Sequence, residues 1–275
     1  MSIVHLHLVS DSTGETVHSL GRACAVQFES VDIQEHLWPL TRSNEQIEAV
    51  LQGVKKNPGL VLYSLVEEDV RRTLDDGCRE QGVPTVSVLD PIFAAFANHL
   101  GLHKRGLPGR QHVLDEEYFQ RIDAMQFALA HDDGQGVYDI DEADVILTGV
   151  SRTSKSPTCI YLANRGVKAA NVPFVPGIAL PDELLALNGE NSPMIVGLTK
   201  DPAQLVQIRR NRLRMIEEHA DTDYVDIETV REEVSSARRF FNERNWPIID
   251  VSRRSIEETA AAILQMMEQR QSAVD

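Results

Sequence analysis

The chain has 275 residues, of which 42% are hydrophobic and 25% charged, and its formal net charge is −15 with a pI near 5.0. This length allows one large or two modest domains, while the acidity disfavours nucleic acid and anionic membranes as partners. No segment approaches the ~20 apolar residues of a membrane span, and residues 1–10 lack the pattern of a signal peptide. A cytoplasmic protein is therefore expected.

Short apolar runs alternate with helical patterns in the first third of the chain. Strands are predicted at residues 3–9, 60–65 and 85–89, and helices at residues 43–56 and 67–81. This βαβαβ order predicts a small parallel-sheet α/β domain. We assign residues 1–105 to it, and residues 106–275 to a second α/β domain that is expected to be P-loop-kinase-like.

A polar loop, Ser10-Asp-Ser-Thr-Gly-Glu-Thr16, follows the first predicted strand. Such a loop can bind an anion, but small polar residues beside Glu15 favour capping of the next helix instead. His5 and His7 share one face of the strand, and without a third ligand nearby in sequence they predict no metal site.

Residues 99–113 hold several glycines together with Lys104, Arg105 and Arg110, which predicts a connection between domains. A phosphate- or partner-contacting role is the alternative, because basic clusters are rare in this acidic chain. Asp115 is then expected to cap a helix that ends near His131. The side chains predicted on the apolar side of that helix are Phe119, Ile122, Phe127 and Leu129.

The rest of the chain again alternates strands and helices. The predicted strands are residues 144–150, 169–174, 194–199 and 248–251. The predicted helices are residues 156–165, 203–218 and 255–269.

A candidate phosphate-binding loop lies between the strand and the helix that meet near residue 150. It consists of Gly149, Val150, Ser151, Arg152, Thr153, Ser154, Lys155 and Ser156. The pattern matches GxxxxGK[ST] except that Ser154 replaces the second glycine. Backbone N–H groups and the helix N-terminus would surround a diphosphate, Lys155 would add positive charge, and Ser156 is the candidate Mg²⁺ ligand. The alternative is a short turn with an incidental lysine.

Charged residues elsewhere could complete a phosphoryl-transfer site. Asp132 and Asp133 follow a predicted helix C-terminus, where carboxylates are unfavourable, and one of them could orient or deprotonate an attacking hydroxyl. Simple turn chemistry is the alternative. Arginines of a helical lid could neutralise the transferred group, with Arg209 and Arg212 as catalytic candidates beside Arg210. A solvated helix face is the competing interpretation of these arginines.

Five motifs in order resemble one known family over nearly the whole chain. They are Ser-Asp-Ser-Thr-Gly-Glu-Thr at residues 10–16, Ala-His-Asp-Asp-Gly at 130–134, Gly-Val-Ser-Arg-Thr-Ser-Lys-Ser-Pro at 149–157, Ala-Ala-Asn-Val-Pro at 169–173 and Gly-Leu-Thr-Lys-Asp-Pro at 197–202. The chain resembles the bifunctional regulatory proteins of pyruvate, phosphate dikinase and phosphoenolpyruvate synthetase. Several motifs in one order are more specific than the loop alone.

The resemblance implies an ADP-dependent kinase that inactivates a dikinase by phosphorylating a threonine. It also implies removal of that phosphate by inorganic phosphate, which releases pyrophosphate, with Mg²⁺ as cofactor and a homodimer as assembly. Thr153-Ser154 is similar to the dikinase branch, whereas the synthetase branch tends to have Cys-Gly there. Two other hypotheses stay open: a small-molecule kinase that uses ATP, and a non-catalytic nucleotide sensor.

Overall fold

A computed structural model describes residues 2–28, 31–101, 116–187, 189, 192–215 and 223–272. The chain divides into two units, Met1–Val113 and Leu114–Asp275, and each unit contains a four-stranded parallel sheet. The predicted α/β fold class is therefore confirmed. The predicted domain boundary, between residues 105 and 106, lies outside the described residues. No helix in the described segments is long and apolar enough to cross a membrane.

Strands and helices alternate through the described part of the first unit. The strands are β1 (Ser2–Ser10), β2 (Val31–Trp38), β3 (Gly59–Ser64) and β4 (Thr85–Ser87). The helices are α1 (Glu15–Ala25), α2 (Asn44–Lys56), α3 (Glu68–Glu80) and α4 (Asp90–Leu100). The sheet order is β2-β1-β3-β4, and all neighbouring strands are parallel. Strand β2 therefore lies on one side of β1, and β3 and β4 lie on the other side.

Two elements of this unit were not predicted, and both lack a buried apolar pattern. Strand β2 contains Asp, Gln, Glu and His, and as an edge strand it is only partly buried. Helix α4 has no buried residue. It includes His99, which the sequence had assigned to the connection, and residues 102–113 of that connection lie outside the described residues.

The helix cap predicted for the polar loop after β1 is wrong. Helix α1 begins after Gly14, whose φ is 85°, and no side chain caps it. The polar groups of the loop instead bind neighbouring strands and loops. The Asp11 carboxylate accepts a 2.7 Å hydrogen bond from the Val66 amide, and Ser64 Oγ donates to Ser10 Oγ at 3.0 Å. These side chains are therefore used to join β1 to β3.

The second unit repeats the parallel arrangement, with the order β6-β5-β7-β8. Its strands are β5 (Val145–Gly149), β6 (Ala169–Pro173), β7 (Met194–Thr199) and β8 (Ile248–Asp250). Its helices are α5 (Glu116–Ala130), α6 (Lys155–Ala163), α7 (Asp182–Ala186), α8 (Pro202–Met215), α9 (Ile227–Glu243) and α10 (Ile256–Ser272). All four predicted strands agree within one residue at each end.

Differences in the second unit concern its helices. Helix α9 was not predicted, although Val230, Val234 and Phe241 are buried along one face. A Cβ atom on Gly197 would lie 2.3 Å from the Phe241 ring, so the close packing of α9 on β7 requires that glycine. Residues 216–218, which we predicted to be helical, lie outside the described residues.

The predicted apolar side of α5 is only partly correct. Phe127 is buried as predicted, whereas Phe119 and Leu129 are exposed, at 61% and 69% of their surface, and the buried face also includes Ala124 and Ala128. The spacing of the three buried residues follows the helical repeat, which the predicted set did not. The expected cap Asp115 lies outside the described residues.

A histidine cluster occupies the β1–β2 half of the first sheet. His7 is fully buried, its Nδ1 accepts from Trp38 Nε1 at 3.2 Å, and its Nε2 lies 2.8 Å from the Asn57 carbonyl oxygen. His36 stacks on it, with ring centroids 4.6 Å apart. Burial, opposed by the Asn57 bond and assisted by His36 and His5, lowers the pKa of His7 below 6.5. Because Nδ1 accepts a hydrogen bond and the pKa is lowered, the His7 ring is neutral at neutral pH.

This arrangement predicts a pH-dependent stability. Because the folded-state pKa is lowered, the unfolded chain binds the proton more tightly, and stability is lost as pH falls below about 6.5 through the folded pKa. Urea unfolding at several pH values across this range gives the slope of the unfolding free energy against pH. This slope should be shallower in His7→Gln than in wild type. The exposed control His99→Gln should keep the wild-type slope, and equal slopes for all three would contradict the prediction.

Candidate functional site

The 149–156 loop starts at the carboxyl end of an inner strand. β5 lies between β6 and β7, so the carboxyl ends of three parallel strands meet there, which is the usual position of ligand sites in such sheets. A Cβ atom on Gly149 would lie 2.3 Å from the Leu198 carbonyl oxygen. Only glycine fits between β5 and β7 at the start of this loop.

Two residues that are not glycine adopt left-handed backbone conformations in the loop. Arg152 has φ 73° and Ser154 has φ 64°. Ser154 is the residue that departs from the expected glycine, so the glycine-like conformation is kept even though the residue is not. Thr153 is buried between them and donates from Oγ1 to the Val150 carbonyl oxygen at 2.9 Å, which closes the loop on itself.

Lys155 is the first residue of α6, and its side chain folds back under the loop. Its Nζ donates to the carbonyl oxygens of Gly149 at 2.9 Å and Val150 at 3.2 Å. Only 6% of the residue is exposed. Burial lowers its pKa to about 8, against the opposing attraction of Asp133 and Asp132. The positive charge predicted at Lys155 is therefore buried beneath the loop and held by two carbonyl oxygens.

The loop and the start of α6 form a surface suited to an anion. Within the described residues, the backbone N–H groups of Ser151, Arg152, Ser154, Lys155 and Ser156 donate no hydrogen bond to the chain. These residues line a cleft of about 610 Å³. Free amides at a helix N-terminus bind phosphate groups by hydrogen bonding and by the helix dipole. This is the geometry that a diphosphate cradle needs.

The two predicted acidic residues lie in a turn after α5 and line the same cleft. We call residues 131–134 the acidic turn. His131 anchors it, with Nδ1 2.8 Å from the Phe127 carbonyl oxygen and Nε2 2.8 Å from Asp139 Oδ1. The structure therefore brings Asp132, Asp133, Lys155 and Ser156 together, although the chain separates them by about twenty residues.

Asn171 joins the acidic turn to the loop, and the sequence reasoning did not select it. It is 2% exposed on β6. Its Nδ2 donates to Asp132 Oδ1 at 2.6 Å and to Ser156 Oγ at 2.9 Å. Its backbone exchanges hydrogen bonds with the turn, accepting from the Gly134 amide at 2.8 Å and donating to the His131 carbonyl at 2.9 Å. The available signal was a lone amide within a buried apolar strand.

The predicted arginines are not brought to the cleft. Arg209 is buried and contacts the Ser151 carbonyl at 3.3 Å, the Tyr224 carbonyl at 3.1 Å and the Glu233 carboxylate at 2.7 Å. Arg212 is exposed on α8 and does not line the cleft. Arg209 thus holds the loop through the Ser151 carbonyl and does not line the cleft.

Two other cations do line the cleft. They are Arg152 of the loop and Lys200, which follows β7. Lys200 lies within the sequence motif at residues 197–202, but a single lysine after a strand has no specific spacing and therefore predicts no role.

The residues around Ser156 suit a magnesium ion. Among the described residues, no group of three or more His, Cys, Asp or Glu side chains could hold a metal by itself. Mg²⁺ is commonly held by one or two carboxylates together with substrate phosphates. Ser156, Asp132 and Asp133 supply oxygen atoms of this kind along the cleft.

Comparisons with known proteins identify the family of the chain. A family model described as kinase/pyrophosphorylase matches residues 6–264. A relative from Paramagnetospirillum magneticum is 54% identical over 98% of this chain and 85% of its own length, and one from Erythrobacter litoralis is 51% identical over 100% of this chain and 98% of its own. Both are provisionally named as pyruvate, phosphate dikinase regulatory proteins. A solved periplasmic solute-binding protein from Actinobacillus succinogenes is 11% identical over 98% of this chain and 92% of its own, with a TM-score of only 0.23.

The left-handed conformation of Ser154 predicts a gain in stability on substitution by glycine. Ser154→Gly should raise the unfolding free energy by about 1 kcal/mol, because a side chain disfavours this backbone region. Ser151→Gly is the control, since Ser151 does not have positive φ. It should lower stability by about 0.5–1 kcal/mol, because the backbone gains freedom and the 3.0 Å hydrogen bond between Ser151 Oγ and the Tyr224 hydroxyl is lost. Urea unfolding measures both, and a loss of stability in Ser154→Gly would contradict the argument.

Proposed function

Because the chain belongs to the kinase/pyrophosphorylase family, we propose that it phosphorylates a threonine of pyruvate, phosphate dikinase with ADP and removes that phosphate by phosphorolysis. The observation that carries the proposal is the cradle of free loop amides above the buried Lys155, which faces the acidic turn. A cradle of this kind suits a diphosphate, because free amides at a helix N-terminus bind phosphate groups. The diphosphate is ADP in the kinase direction and the pyrophosphate product in the reverse direction, so one pocket can serve both reactions.

Transfer from ADP is a displacement at the β-phosphorus. The threonine oxygen forms a bond to phosphorus, the bond from phosphorus to the bridging oxygen breaks, and AMP leaves. The hydroxyl proton passes to a carboxylate of the acidic turn. In the reverse direction an oxygen of inorganic phosphate attacks the phosphothreonine phosphorus, the bond to the threonine oxygen breaks, that oxygen takes up a proton, and pyrophosphate leaves.

The residues of the cleft have separate roles in this proposal. The loop amides bind and orient the diphosphate, while Lys155 and Lys200 offset its negative charge. Arg209 keeps the Ser151 carbonyl in place and so preserves the shape of the loop. Ser156 and the two aspartates would hold Mg²⁺, which supplies further neutralisation of phosphate charge when bound.

The choice of dikinase over synthetase rests on two supports. Thr153-Ser154 is the loop sequence expected of the dikinase branch, and the relatives reported above are named for the dikinase. Phosphorylation of phosphoenolpyruvate synthetase by the same chemistry is the alternative.

Transfer can be tested with ADP labelled on its β-phosphate and purified dikinase. Label should reach a dikinase threonine, and Lys155→Met should lower the rate at least about 100-fold, because it removes a charge that acts on the transferred group. The exposed control Lys55→Met should behave as wild type. Faster transfer to phosphoenolpyruvate synthetase than to dikinase would identify the synthetase as the target. Phosphorylation of a metabolite with ATP, in the absence of a protein acceptor, would favour a small-molecule kinase instead.

The lowered pKa of Lys155 predicts proton uptake on ADP binding. At pH 8 about half of this lysine is neutral in the free protein, given its pKa of about 8, and a bound anion raises the pKa by favouring the charged form. Calorimetric titration of ADP in two buffers of different ionisation enthalpy should show uptake approaching about half a proton. The uptake should vanish at pH 6.5, where the lysine is already charged.

Lys155→Met supplies the control for this titration, because it removes the titrating group and should bind ADP without proton uptake at pH 8. Equal uptake in wild type and variant would assign the proton to another group. No uptake in wild type would contradict a diphosphate placed next to Lys155.

A further inference from the structure

Asn171 is a polar residue at a buried strand position, where an apolar side chain would have no hydrogen bonds to satisfy. It is buried in the middle of β6, and its Oδ1 has no hydrogen-bond partner among the described atoms. An unsatisfied buried carbonyl is unfavourable for folding. A contribution to folding stability therefore does not explain why an amide occupies this position. Its two N–H donors, by contrast, both have partners, and both partners line the candidate active site.

The two acceptors come from different parts of the chain. Asp132 belongs to the turn after α5, and Ser156 lies in the first turn of α6. A single NH₂ group bonded to both sets the distance between them, as two donors on one nitrogen have a fixed angle. The bond to Ser156 Oγ also fixes the position of this oxygen relative to the Asp132 carboxylate.

We propose that Asn171 is a positioning residue that fixes the Asp132 carboxylate against Ser156 of the loop, so that acceptor hydroxyl and diphosphate are held in register. This rests on the proposed function. Asn171 also lines the cleft, but its N–H donors are occupied by Asp132 and Ser156, so in this proposal it acts through those two partners. Groups that orient catalytic carboxylates and metal ligands in this way typically contribute about 10–100-fold to activity.

Two single substitutions separate positioning from packing. Asn171→Val removes the donors and the unsatisfied carbonyl and suits a buried strand, whereas Asn171→Asp keeps the shape but replaces the donors with oxygen. For transfer of labelled β-phosphate from ADP to dikinase, both variants should lower kcat by about 10–100-fold. In Asn171→Val, which adds no charge, the KM for ADP should change less than about threefold, because the loop amides that bind the diphosphate are untouched.

The thermal midpoint of Asn171→Val should stay close to that of wild type, which a residue needed only for folding would not allow. Thr148→Val is the matched control. Thr148 is fully buried on the adjacent strand β5 with an unpartnered hydroxyl, so the variant also removes a buried polar atom and should leave kcat unchanged.

A double-mutant cycle tests whether Asn171 acts through Asp132. In an Asp132→Asn background, Asn171→Asp should lower kcat by less than about twofold further, because the group it positions is already altered. Independent, multiplying losses would overturn the proposal, as would wild-type kcat in the single variants. If wild type itself transfers no label, the proposed function fails first; if wild type transfers label and Asn171→Val does so equally well, only the role of Asn171 fails.

Discussion

The site depends on one buried cation under one tight loop. The ammonium group of Lys155 replaces water with two carbonyl oxygens of the chain, those of Gly149 and Val150. Burying a charge is costly unless it is well hydrogen-bonded, so the loop has to curl around the lysine. This requires a glycine where β5 meets β7 and left-handed backbone at Arg152 and Ser154. Loop residues whose amides have no partner in the described chain then line the cleft.

A second constraint keeps the loop in this shape from the other side. Arg209 is almost fully buried and joins the Ser151 carbonyl to Tyr224 and Glu233, with its guanidinium 4.5 Å from the Tyr224 ring centroid. An arginine held by this many partners is not available to a substrate. In the proposed reaction, lysines at the cleft would therefore offset the charge of the transferred group, and Arg209 would act by holding the Ser151 carbonyl.

The first unit uses its polar residues differently. The loop after β1 resembles an anion site in sequence, yet Ser10 and Asp11 bind other parts of the same unit. His7 is likewise held by Trp38 and the Asn57 carbonyl as a neutral ring. In both places a polar group that sequence alone leaves open has a structural partner distant in the chain, because buried hydrogen-bonding groups need partners.

The sequence by itself determined both parallel α/β units, the strands of the second unit and the loop, because apolar runs and glycine, lysine and serine spacings are local signals. It missed the polar edge strand β2, the exposed side of α5 and the roles of Asn171 and Arg209. Only the tertiary structure decided those. Whether an amide or a guanidinium faces a cleft or supports it depends on contacts between residues far apart in sequence, such as Asn171 with Asp132, and no local pattern encodes them.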